Sequence, residues 1–248
     1  PIAHQVTRPP DTSETIPPRR VVEWIASQGS ERRHPARPRV DVLGEPVMLD
    51  LARAPHLLVG GTTGSGKSVC LHALLVSLLR GPSRDRLRLC LIDPKRVEFE
   101  SYKGLRGLYG DEVFSDSESA LCALQALVDE MEERIVRLAE LGARDIAEAH
   151  ATGAKDLPYI AVFVEELADL LMQSRATEEP LVRLAQKARA TGIHLVLATQ
   201  RPDAATFSGL LRSNIPARIA LTVQKASESK IILDRTGAER LTGMGDML

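Results

Sequence analysis

The sequence predicts an α/β domain, a mostly parallel β-sheet with helices on both faces, and three observations predict it. Short, nearly unbroken apolar runs recur at 57–59, 87–92, 159–164 and 193–198, as in strands buried on both faces. Segments of helical period alternate with these runs, the order of strand–helix–strand units. A Gly-rich turn ending in Lys-Ser joins the first run to the first helix.

Taken in order, residues 1–39 are rich in Pro and Arg (Pro9-Pro10, Pro17-Pro18, Arg19-Arg20, Arg32-Arg33) and are expected to form an extended, loosely packed arm. Only Val21–Ala26 could be helical there. Such a charge run is either solvated or laid on DNA or a neighbouring subunit. Residues 40–248 read as one domain. Pro46–Leu51 is expected to be a strand leading into the Gly-rich turn, and Val69–Leu79 the helix that follows it. Leu87–Ile92 is a buried strand ending in Asp93-Pro94-Lys95, followed by a loop-rich stretch with Gly104, Gly107 and Gly110. Ser115-Asp-Ser-Glu118 reads as a capping box. It opens a long helix with an apolar stripe of Leu121, Leu124, Val128, Met131, Ile135 and Leu138, closed by Gly142. Strands at Tyr159–Val164, Ile193–Ala198 and Arg218–Val223 and helices at Pro180–Thr191 and Ser227–Leu233 complete the pattern.

Composition limits what the 248 residues can do. Hydrophobic residues make up 44% but aromatics only 3%, so the core must be built from Leu, Val, Ile and Ala. The net charge of −1 means that any nucleic-acid contact comes from local clusters and not from the field of the whole molecule. Cys70, Cys90 and Cys122 form no CxxC pair and read as buried reduced thiols, and the 6 histidines lack zinc-ligand spacing. No apolar run approaches the ~18 residues of a membrane span, and no signal peptide is visible. The expected location is cytoplasmic, with membrane anchoring through a preceding region left open. Starting at Pro1 and stopping at Leu248 within a motif-like run, the chain is expected to be a fragment truncated at its C-terminus.

The motif with the most chemistry is Gly60-Gly61-Thr62-Thr63-Gly64-Ser65-Gly66-Lys67-Ser68, which contains Gly61-x-x-x-x-Gly66-Lys67-Ser68, the phosphate-binding loop pattern. Its glycines let the backbone fold tightly and aim N–H groups at phosphate oxygens, and Val69 starts the helix whose dipole adds to anion binding. Lys67 is expected to face solvent and reach the β- and γ-phosphates, with the Ser68 hydroxyl on Mg²⁺. The cofactor set is therefore ATP with Mg²⁺. Hydrolysis also needs a carboxylate for the metal and a base to orient water. Glu165 and Glu166, at the end of Tyr159–Val164, supply both: Glu165 is assigned to magnesium and Glu166 to water activation. At the end of the next strand, Gln200 is assigned as a sensor for the γ-phosphate or the attacking water.

These residues sit in segments that resemble the FtsK/SpoIIIE DNA translocases. The segments are Ala54–Ser68, Ile92-Asp-Pro-Lys95, Leu141-Gly-Ala-Arg144, Glu166-Leu-Ala-Asp-Leu170, Leu184–Arg189, Gly192–Pro202, Asn214–Ala220, Ile232-Leu-Asp234 and Gly243–Leu248. The resemblance implies a RecA-like P-loop fold and a homo-oligomeric, hexameric ring around double-stranded DNA with ATP held between neighbours. It implies an arginine acting in trans at Arg218 and DNA-phosphate contacts from Lys225 and Lys230. Glu165 departs from the family's Asp, and magnesium geometry is sensitive to the extra methylene. The family's membrane-anchoring region, accessory domain and winged-helix domain are not apparent. Two other readings compete with DNA translocation: a protein-secretion ATPase of the same superfamily, and a weakly hydrolysing nucleotide-binding scaffold.

Overall fold

The computed structural model describes residues 39–40, 46–47, 49–81, 84–204 and 207–248. The expected Pro/Arg arm, apart from Arg39, and the helix expected at Val21–Ala26 lie outside the described residues.

The first two strands, β1 (Arg39–Val40) and β2 (Pro46–Val47), form a small antiparallel pair of their own. The strand expected over Pro46–Leu51 thus stops early. Asp50 turns the chain, its side chain accepting from Ala52 N at 2.9 Å and its carbonyl from Ala54 N at 2.8 Å. Local Asp–backbone bonds of this kind compete with a strand ladder.

The main sheet contains β3 (His56–Gly60), β4 (Leu87–Ile92), β5 (Leu108–Phe114), β6 (Tyr159–Val164), β7 (Ile193–Thr199) and β8 (Ala217–Ala220). Its order is β5-β4-β6-β7-β3-β8, and every pairing is parallel. Strand periodicity sends alternate residues to opposite cores. Ile160, Val162 and Val164 of β6 pack on one face, and Ala161 and Phe163 on the other. The first face is covered by α2 (Ser117–Glu140), α4 (Leu167–Gln173) and α5 (Glu178–Lys187). The second is covered by α1 (Lys67–Arg80) and by Phe99, whose ring meets Phe163 edge-on at 6.3 Å. The remaining helices are α3 (Ile146–Ala151), α6 (Gly209–Ser213) and α7 (Ala226–Leu233). Among the described residues, no helix is long and apolar enough to cross a membrane.

Several expectations are corrected. The stretch expected to be all loop contains β5, an edge strand. Gly110 and Asp111 take positive φ at its centre and shift its register against β4, so the polar Gly-Asp-Glu middle bulges out while Leu108, Val113 and Phe114 stay buried. The cap of α2 is Asp116, which accepts from Glu118 N and Ser119 N, and not Ser115. Within the stripe Ile135 is 38% exposed. Arg134 takes the buried place beside it, donating to the Pro158 and Thr191 carbonyls at 2.7 and 2.8 Å. Cys122 is exposed, because it lies on the solvent face of α2. The strand expected at Arg218–Val223 ends at Ala220, since the Thr222 carbonyl accepts instead from Thr62 N at 3.0 Å. The helix expected to run to Thr191 ends at Lys187, ahead of Gly192 at φ 75°.

Candidate active site

The chemistry-bearing side chains converge where β3, β6 and β7 end, the edge at which open α/β sheets bind ligands. Gly60 stands beside Thr199 in the sheet register, and Gly61 N–H donates to the Thr199 carbonyl at 3.2 Å. The loop then curls, with Ser65 N–H donating to the Thr62 carbonyl at 3.1 Å, and enters α1 through Gly66 at φ 99°. Only glycine fits Gly66: the backbone is left-handed, and a Cβ would stand 2.8 Å from Gly245 N. Gly245 N–H donates to the Ser65 carbonyl at 2.8 Å, so the chain's last residues brace the loop. The start of α1 has no side-chain cap and no acidic residue in its first turn, which suits anion binding by its N–H groups.

Lys67 does not face solvent as the sequence led us to expect. It is 3% exposed, with Nζ 2.7 Å from Glu165 Oε1 and 3.0 Å from the Glu165 carbonyl. A buried ammonium requires a counter-charge, and Glu165, 1% exposed at the end of β6, provides it. Burial pushes the Glu165 carboxyl above its ordinary range against the opposing pull of Lys67. Glu165 Oε2 is buried without a hydrogen-bond partner among the described residues.

Glu166 is buried as well, and both of its oxygens are engaged. Oε1 accepts from the Thr199 hydroxyl at 2.7 Å and from Gln200 N at 3.0 Å; Oε2 accepts from Gln200 N at 3.0 Å and faces Lys95 Nζ at 3.6 Å. Lys95 also pairs with Asp169 at 3.1 Å. The Gln200 side chain accepts from the Thr63 hydroxyl at 2.9 Å, which ties the end of β7 to the phosphate loop. Thr62, Thr63, Lys95, Glu166, Gln200 and Arg201 line a cleft of about 370 Å³. A smaller hollow of about 190 Å³, between α2 and α5, has none of this chemistry.

Residues 25–204 match the model of the FtsK/SpoIIIE family. The chain belongs to that family. It has a RecA-like P-loop fold. It is 43% identical, over 97% of its length, to "DNA translocase SftA" of Bacillus subtilis (strain 168), covering 26% of that protein. It is 46% identical, over 84% of its length, to "DNA translocase FtsK" of Treponema pallidum (strain Nichols), covering 27% of it. The chain thus spans about a quarter of the length of these relatives. Among solved structures, the pCW3 conjugation coupling protein TcpA superposes with a TM-score of 0.70 at 31% identity, covering 79% of this chain and 56% of that one. The cytoplasmic domain of the Thermomonospora curvata type VII secretion ATPase EccC does so at 0.70 and 27% identity, covering 82% and 25%.

Of the residues that the FtsK/SpoIIIE resemblance singles out near the C-terminus, Arg218 does not line the chain's own cleft, whereas Lys225 lies between Gln224 and Glu228, which do. Arg218, on edge strand β8, donates to the carbonyls of Ile215, Ile232 and Arg212 at 3.3, 3.2 and 3.0 Å and forms an ion pair with Asp234. Lys225 caps α7 and Lys230 lies on it, both exposed. The Ser68 hydroxyl donates to Glu98 and not to Glu165.

Sequence reasoning missed Glu98 and Lys95, and it placed Thr199 at the site without giving it a partner. All three depend on long-range placement. The first two are delivered by one loop wrapped around buried Asp93, whose carboxylate accepts from the N–H groups of Lys95, Val97, Glu98 and Phe99. The only sequence signal was the Ile92-Asp-Pro-Lys95 segment.

Proposed function

We propose that this domain is the motor of a double-stranded DNA translocase, hydrolysing ATP with Mg²⁺ at the subunit interfaces of a six-membered ring. The observation that carries the reading is the meeting of Lys67, Glu165 and Glu166 at the phosphate loop. The identity to proteins named DNA translocases supports the choice of cargo.

Loop N–H groups and the start of α1 cradle the phosphates. Lys67, released from Glu165, binds the β- and γ-phosphates. Ser68 and Glu165 offer hard oxygen donors that fit a magnesium ion, and the unpartnered Glu165 Oε2 is a donor in search of a partner. Bound magnesium would neutralise charge on the phosphates. Glu166 accepts the proton of the attacking water, for which it must exchange at least one of its bonds to Thr199, Gln200 or Lys95. Gln200, bonded to both Glu166 and Thr63, transmits the presence of the γ-phosphate to that base. Arg218 completes the neighbouring subunit's site by trading its carbonyl partners for a phosphate. Lys225 and Lys230 contact DNA phosphates, which position the duplex without reading it.

The test is the steady-state ATPase rate with and without linear duplex DNA. Stimulation that weakens as salt rises is expected. The similarity to a secretion ATPase favours a second reading, protein transport, which predicts a rate indifferent to DNA.

A further inference from the structure

We propose that Glu98 is the positioning carboxylate of the magnesium site: it accepts the hydrogen bond of the Ser68 hydroxyl and so leaves that oxygen's lone pairs directed at the cation. The proposal rests on the nucleotide-binding reading above and adds to it a residue from outside the phosphate loop and the carboxylate pair.

Ser68 Oγ donates to Glu98 Oε1 at 2.5 Å. A serine hydroxyl has one proton and two lone pairs. To serve as a metal ligand through a lone pair it must send its proton elsewhere, and metal ligands are commonly fixed by such outer partners. Glu165 does not accept that hydrogen bond here: its Oε1 is paired with Lys67, and the Ser68 hydroxyl points to Glu98 instead.

Glu98 is itself held firmly. Its N–H donates to Asp93 Oδ2 at 2.9 Å, and its Oε2 lies 3.3 Å from His72 Nε2. His72 Nδ1 lies 2.9 Å from the Tyr102 hydroxyl, and the two rings stack at 5.6 Å. The carboxylate therefore bridges α1, which carries Ser68 and His72, and the Asp93 loop, with its oxygen fixed on the Ser68 proton. Its charge lies beside the loop, where it also draws a hydrated cation inward.

The experiment uses the 248-residue chain with ADP as the nucleotide and Mn²⁺ as the metal probe. Mn²⁺ binding to the protein–ADP complex is followed by electron paramagnetic resonance, alongside ADP affinity in EDTA and the thermal midpoint. Glu98→Ala is expected to weaken Mn²⁺ binding by about 10–100-fold while leaving metal-free ADP affinity unchanged. Glu98→Gln, which keeps an acceptor oxygen but not the charge, is expected to fall between. It serves as the variant of record if Glu98→Ala fails to fold. A lowered thermal midpoint or weakened metal-free ADP binding, with Mn²⁺ affinity intact, would assign Glu98 a merely structural role and overturn the proposal. So would wild-type protein whose ADP complex binds no Mn²⁺. Wild-type ADP affinity in EDTA separates the two readings: if the wild-type chain binds no ADP the nucleotide reading fails, whereas normal ADP binding with Mn²⁺ affinity unchanged in Glu98→Ala overturns this proposal alone.

Discussion

Lys67→Ala tests the most unexpected contact in the site, the buried pair of Lys67 and Glu165. The pair is closed at 2.7 Å with both side chains almost wholly out of solvent, and the Lys67 ammonium also satisfies the Glu165 carbonyl at 3.0 Å. Removing Lys67 strands a carboxylate that burial already pushes upward. Breaking a buried pair from one side costs about 3–5 kcal/mol, a large part of a domain's total stability of roughly 5–15 kcal/mol. With a urea m-value of about 3 kcal/mol/M for a domain this large, the midpoint should fall by about 1–2 M at neutral pH. The variant should also lose nucleotide binding, since the same ammonium is the proposed phosphate ligand. The sign of the pH effect is fixed by Glu165. Its folded pKa lies above its unfolded one, so the destabilisation is present at neutral pH and fades as pH falls and the carboxylate takes up a proton. Urea unfolding of wild type, Lys67→Ala, Glu165→Gln and the double variant closes a thermodynamic cycle. Lys67→Ala/Glu165→Gln should be more stable than Lys67→Ala alone. A Lys67→Ala protein with wild-type stability, and no coupling in the cycle, would refute the reasoning.

Glu166→Gln should retain nucleotide binding yet lose about 10²–10⁴-fold in turnover, because an amide cannot accept the water's proton; full turnover there, with loss in Glu165→Gln, would exchange the two roles. Arg218→Ala should still bind ATP but hydrolyse about 10³–10⁵-fold more slowly if the guanidinium acts in trans, and mixing it with Lys67→Ala subunits should recover activity at interfaces that pair an intact loop with an intact arginine. No recovery in rings shown to exchange subunits would leave Arg218 as the tie between β8, α6 and α7 that its carbonyl contacts describe. Acid should destabilise the fold through two buried histidines: burial lowers His56 from 6.5 to about 3, with His194 adding to the shift, and burial lowers His194 to about 4. Below pH 6.5 the unfolded chain binds protons that the folded one refuses, so stability should drop by up to about 1.4 kcal/mol per histidine per pH unit. Urea unfolding between pH 7 and 5, on a Glu165→Gln background to remove the opposing carboxyl, should show that slope; a flat profile would mean that the histidines titrate normally.

What could be read from sequence was whatever local pattern dictates. The strands over Leu87–Ile92 and Tyr159–Val164 were found because burial on both faces leaves a nearly unbroken apolar run. The phosphate loop was found because tight turns and close backbone approach demand glycine at fixed spacing. β5 was missed for the converse reason: an edge strand with a bulge can carry Gly-Asp-Glu at its centre, and its pairing with β4 is a long-range fact. The same limit governs the site. Glu165 and Glu166 were visible as adjacent carboxylates at a strand end, but their partners come from other strands and loops: Lys67 from the end of the phosphate loop, Thr199 from β7, and Lys95 from the loop after β4.

The partners decide what each carboxylate can do. Adjacent residues leaving a strand point in different directions, so one glutamate faces Lys67 and the other faces the end of β7. On the proposed role of Lys67, a carboxylate held by that lysine is coupled to the arrival of phosphate, because phosphate would compete for the same ammonium. A carboxylate held by Thr199 and the Gln200 backbone is coupled to the segment after β7, because any movement of that segment changes what Glu166 can accept. If both couplings operate, nucleotide binding frees Glu165 for the metal while Glu166 stays under the control of the β7 end. Gln200, bonded to Thr63 and, through its backbone, to Glu166, touches both arms, and so does Thr199, whose carbonyl accepts from Gly61 N–H and whose hydroxyl donates to Glu166. Those placements make the end of β7 the segment through which the phosphate loop and Glu166, the proposed base, can be kept in step.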